Sequence, residues 1–67
     1  FSIKFDRDLG KADVEVMNTL NELIFTESIN TRSQNELKIN IDHQARGIYF
    51  IKIKTNNTVD KLKLILE

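Results

Sequence analysis

Residues 37–54, LKINIDHQARGIYFIKIK, constrain the fold more than any other part of the chain. Apolar and polar residues alternate at Leu37, Ile39 and Ile41, and again at Tyr49, Ile51 and Ile53. Side chains on a strand point alternately to opposite faces, so each run lays one apolar row on one face of a sheet. A short polar link joins the two runs, and the second opens on Gly47-Ile48-Tyr49. Neither run carries a nucleophile or a catalytic base. The pattern is that of an element made to fold and be recognised.

The rest of the chain repeats the pattern. Phe1, Ile3 and Phe5 alternate with Ser2 and Lys4, which predicts a first strand. Residues 6–10 form a turn, where Gly10 takes a positive φ without steric cost. Ala12, Val14 and Val16 alternate with Asp13 and Glu15 in a second strand. Residues 18–22 close a hairpin, and Asn21 is the residue best suited there to a left-handed conformation. The third strand covers residues 23–29, with Leu23, Ile24 and Phe25 adjacent, so both faces are expected to be partly covered near its start. Residues 30–35 read as a loop, 37–41 and 47–55 as the fourth and fifth strands, and Asn56-Asn57 as a turn. Leu62, Leu64 and Leu66 supply the last strand.

Short strands at this even spacing predict an all-β fold, a small antiparallel β-sandwich of about six or seven strands. A helical stripe through Val14, Met17 and Leu20 is the competing reading of residues 13–24. The β-branched residues and Asn21 favour strands. Proline is absent, so every backbone N–H after the first residue is free to pair.

Composition narrows the function. A chain of 67 residues builds one domain with one core. Such a core rarely supplies more than about 3–5 kcal/mol. There is no cysteine, which excludes disulfides and thiolate metal sites. Ten basic and ten acidic residues balance, whereas a nucleic-acid binder needs a basic face. No apolar run approaches the ~18 residues of a membrane span, and no signal-peptide pattern opens the chain.

Catalytic candidates are weak. His43 is the single histidine, with Asp42 beside it, but adjacent residues diverge and no serine has a claim on it. Ser2, Ser28 and Ser33 lack a nucleophile-elbow setting, and the carboxylates are scattered. The two glycines are too far apart for a phosphate loop. Asn56-Asn57-Thr58 matches the glycosylation triplet, a pattern common by chance. Phe5, Phe25, Tyr49 and Phe50 could stack on bases or sugars, but at strand spacing they read as core. Neither a catalytic residue, a cofactor nor a metal ligand is expected. The pairs Lys52/Lys54 and Lys61/Lys63 project from solvent faces, where lysines usually protect a sheet edge.

Taken in order, these segments resemble the C-terminal sorting domains (type A secretion tails) of the type IX secretion system of Bacteroidetes-type bacteria. The similarity spans nearly the whole chain. It runs through FSIKF at 1–5, ADVEVMNTLNELI at 12–24, LKINI at 37–41, ARGIYFIKI at 45–53 and KLKLI at 61–65. The chain departs from the family where Asn21-Glu22 replace Gly-Gln, where Gln44 replaces an apolar residue, and in lacking a leading Asn-Pro segment.

The resemblance implies an immunoglobulin-like sandwich over residues 1–67, as a fragment of a larger exported protein. It implies a non-catalytic address tag, covalently attached to an N-terminal cargo domain and read by the secretion machinery. The cargo passes through the periplasm to the cell surface or the medium, and a sortase-like peptidase removes the tail. Gly47 and Tyr49 are expected to serve recognition through the fold, and Lys61 and Lys63 through contact. Neither nucleic-acid binding nor membrane insertion is expected. The competing functions are an immunoglobulin- or fibronectin-like accessory spacer and a carbohydrate-binding module, the latter needing exposed Phe25, Tyr49 and Phe50.

Overall fold

The computed structural model describes residues 1–41 and 43–67. Asp42, considered above as a partner for His43, lies outside the described residues.

Six strands run in the order β1 (Ser2–Lys4), β2 (Lys11–Asn18), β3 (Leu23–Asn30), β4 (Glu36–Lys38), β5 (Gly47–Lys54) and β6 (Val59–Leu66). No helix occurs among the described residues, so the helical reading of residues 13–24 falls away. Two antiparallel sheets form, one of β1 and β4, the other in the order β3-β2-β5-β6. The architecture is a small, unequal β-sandwich, with two strands laid against four.

Alternation makes the core. Ala12, Val14 and Val16 of β2 and Tyr49, Ile51 and Ile53 of β5 are buried on one face of the large sheet. Leu37, Ile39 and Ile41 meet them from the small sheet's side, with Phe5. The fourth strand is shorter than expected, because regular pairing stops at Lys38. The apolar rhythm nevertheless continues to Ile41, and the Ile39 N–H still donates to the Phe1 carbonyl at 2.8 Å. Burial here follows the side-chain pattern beyond the ladder itself.

The turns follow local chemistry. Asn21 has φ 63° and closes the β2–β3 hairpin. The Asn18 carboxamide oxygen accepts from the Leu20 and Glu22 N–H groups, both at 2.9 Å. The run Leu23-Ile24-Phe25 has a definite cause. Val16 faces Phe25 while Met17 faces Leu23, so Ile24 is the extra residue of a bulge. Between the sheets, Thr31 is buried and ties two connections together. Its hydroxyl accepts from Leu9 N–H and donates to the Gly10 carbonyl, each at 2.8 Å. Beside it, Asp8 accepts from Gly10 N–H and from Arg32 Nε, both at 2.8 Å. The Gly10 N–H chiefly, with Arg32 next to it, holds the Asp8 carboxyl below its usual range.

Candidate recognition site

Strand β6 sits at the edge of the large sheet, paired on one side only. None of its eight residues is buried. Register fixes the face of every side chain. Ile51 and Ile53 point into the core, so their partners Leu62 and Asp60 point the same way. Lys61 and Lys63 therefore stand on the outer face, opposite Lys52 and Phe50.

The outer face divides into two halves. In one, Asp13, Glu15, Lys52, Lys54 and Lys61 form neighbouring rows. Lys54 Nζ lies 3.7 Å from Glu15 Oε1, and the Ser28 hydroxyl donates to Asp13. In the other half, Met17 lies between Leu23 and Phe50, and Ile48 faces Ile65. Lys63 joins the two halves. Among the described residues neither Lys61 nor Lys63 has a salt-bridge partner, and both are exposed. Both lysines stand on a solvent face, as their period-two spacing predicts. The directly opposed Lys52/Lys61 pair and the apolar half-face were not expected from the sequence. The unbroken run Ile48-Tyr49-Phe50-Ile51 was the available signal, since it cannot hide both faces.

Gly47 and Tyr49 act on structure. Gly47 opens β5 with φ 143°, a left-handed value that strains any residue with a Cβ. Space is not the constraint, because a Cβ there would meet nothing within 4 Å. The Tyr49 ring is buried, and its hydroxyl donates to the Ala45 carbonyl. That bond ties the loop before β5 to the strand. The four candidate residues thus fall into two separate groups. Gly47 and Tyr49 start β5, whereas Lys61 and Lys63 lie on the outer face of β6.

His43 is exposed, and among the described residues no three of His, Asp and Glu converge on one point. Among the aromatics, Phe5 and Tyr49 are buried, and Phe25 packs half-buried against the core. Phe50 is 40% exposed on the outer face, so the aromatics are not all buried. The other exposed ring is Phe1, beside the small sheet, and two rings on different sheets are no sugar-stacking platform.

The comparison that decides the assignment covers the full length. A family model described as "Secretion system C-terminal sorting domain" matches residues 1–67. The chain belongs to this family. Its members are C-terminal sorting signals of the type IX secretion system, which engage that machinery and carry an attached cargo toward the cell surface or the medium. Neither the curated proteins nor the solved structures yield a match. No finding favours a spacer or a carbohydrate-binding module.

Proposed function

We propose that residues 1–67 act as one folded, non-catalytic address domain of a longer exported protein, with Lys61 and Lys63 as its contact residues. The observation that supports this is the placement of both lysines, exposed and unpaired, on an edge strand with no buried residue. Two charges of one sign, spaced at period two on a rigid strand, make a fixed electrostatic pattern that an acidic receptor surface can read. Gly47 and Tyr49 contribute by setting the start of β5, against which β6 pairs. In this reading the tail is recognised in the periplasm and removed by a sortase-like peptidase at the surface.

The test is a reporter carrying this domain and its native upstream segment, expressed in a strain with a working type IX system. Lys61→Ala with Lys63→Ala should leave the fold intact and block export. Unchanged export of the double variant would refute the lysine contact.

A further inference from the structure

The geometry points to strand addition as the means of recognition: β6 receives an extended acidic segment of the receptor along its open edge. This rests on the address-domain reading above and adds its physical form.

The first support is the direction of the backbone groups. In an antiparallel ladder, hydrogen-bonded and non-hydrogen-bonded pairs alternate. The Thr55 N–H donates to the Thr58 carbonyl at 2.9 Å, which makes that pair a hydrogen-bonded one. Counting along the register, Ile53/Asp60, Ile51/Leu62 and Tyr49/Leu64 are bonded pairs, and Lys52/Lys61, Phe50/Lys63 and Ile48/Ile65 are not. The far side of the sheet gives the same parity. There the Asn18 N–H donates to the Glu22 carbonyl, so Met17 points its backbone at Phe50 and Tyr49 points its own at Leu64. The N–H and C=O groups of Lys61, Lys63 and Ile65 therefore face away from the sheet. The residues that show lysine side chains are the same ones that offer an incoming strand its ladder.

The second support is a contrast between the two edges of the sheet. Sheet edges are normally blunted by bulges, by inward-pointing charges and by lysines, and lysines repel a basic strand while attracting an acidic one. Edge strand β3 has the first two: the bulge at Ile24, and Glu27, whose partner Val14 points into the core. Edge strand β6 pairs without a register break, and its one inward charge is Asp60, near its start. From Leu62 to Leu66 the inward row is all leucine, and the small sheet leaves it partly uncovered, with Leu62 48% exposed. An added strand would complete the ladder and cover these leucines on one face. On the other face its acidic residues would meet Lys61 and Lys63.

The charges also select the occupant. At the registers of fullest overlap, a second copy laid antiparallel and centred on Leu62 sets Lys61 against Lys63, and centred on Lys63 it sets that residue against itself; only the shorter overlaps centred on Leu64 or Ile65 bring Glu67 opposite a lysine. Like charges directly opposite destabilise a pair. An acidic strand is attracted in the same positions.

The test uses the 67-residue chain and, as probe, a blocked peptide of about eight residues alternating valine with glutamate. On addition of the peptide, amide exchange at Lys61, Lys63 and Ile65 should slow by about tenfold or more. The already bonded Leu62 and Leu64 amides should change little. A valine–lysine peptide should not bind. Ile65→Pro keeps both lysines and removes only an outward N–H, which an edge strand tolerates. It should weaken binding by about tenfold or more, whereas Ile65→Ala, which keeps the N–H, should stay within about threefold. Retained protection at Leu62 and Leu64 shows that the proline variant is folded. If it is not, a chain N-methylated at the Ile65 amide replaces it.

Unchanged exchange at the three outward amides, equal binding of both peptides, or a dimer protecting those amides without peptide would each overturn strand addition. The reporter assay separates the two ideas. If Lys61→Ala with Lys63→Ala blocks export while Ile65→Pro is exported like wild type, strand addition falls and the lysine contact stands.

Discussion

Strands β2 and β6 are each eight residues long, and both alternate, yet they do opposite work. Strand β2 is paired on both sides and buries Ala12, Val14 and Val16. Strand β6 is paired on one side and buries nothing completely. One strand is invested in stability, and the other keeps its side chains at the surface. The comparison teaches that alternation assigns a side chain to a face. Burial then depends on what covers that face, and the second sheet of this domain has only two strands.

The contrast breaks or holds most visibly on introducing a charge. Val14→Asp places an unpaired carboxylate in the core, a change that costs several kcal/mol. That matches the whole stability of a domain this size, so the variant should be unfolded by circular dichroism. Leu62→Asp, at a half-exposed position on β6, should cost about 1 kcal/mol or less. Equal loss of structure in the two variants would dissolve the distinction between the strands.

A smaller effect tests strand β5, which lies between them. Tyr49→Phe removes the hydroxyl bond to the Ala45 carbonyl and should cost about 0.5–1.5 kcal/mol in urea unfolding. If export falls no more than this loss of stability explains, Tyr49 acts through the fold alone.

Lys61→Glu sharpens the comparison further, because stability and function should move in opposite directions. It replaces a Lys–Lys cross-strand pair with a Lys–Glu pair and should raise stability by about 0.2–1 kcal/mol. Export of a fused reporter should drop all the same. A variant both more stable and normally exported would remove Lys61 from the contact.

The smallest effect is the response to pH near the Asp8 turn, remote from both strands. The Asp8 carboxyl is lowered in the folded state, first by the Gly10 N–H and then by Arg32. A depressed carboxyl adds stability that is fully present above its unfolded value, about 3.9. That contribution is lost as pH falls through the folded value. Wild type should therefore lose more stability than Asp8→Asn on acidification below about pH 4. The urea midpoints of the two proteins, followed from neutral pH downwards, measure this difference.

Much of the fold was legible in the residues because period two is an unambiguous signal. The buried rows at Ala12, Val14 and Val16 and at Tyr49, Ile51 and Ile53 could be read directly, as could the left-handed Asn21. The division of strands between sheets was not legible. A row of alternating residues names its face and is silent about its neighbours, so the lysine pairs at 52/54 and 61/63 read alike although β5 lies inside the sheet and β6 at its edge. The half-covered Leu62 follows from the width of the opposite sheet, a property of the whole fold. For the site, the lysine row was visible as spacing. The outward backbone groups beneath it required the register, which only the structure supplies. The bulge at Ile24 left a trace in the run Leu23-Ile24-Phe25, but an extra residue and a strand covered on both faces look alike in sequence.

The small sheet also has a kinetic consequence. Its two strands come from distant parts of the chain, and the Phe1 backbone nitrogen donates to the Ile39 carbonyl across 38 residues. The β2–β3 and β5–β6 hairpins close across short turns, on a timescale of about 1–10 μs. Joining β1 to β4 must wait on a far longer loop. The β1–β4 clasp therefore closes later than either hairpin, as must the equally long-range β2–β5 pairing, and until it does the inward leucines and valines of the hairpins have no lid.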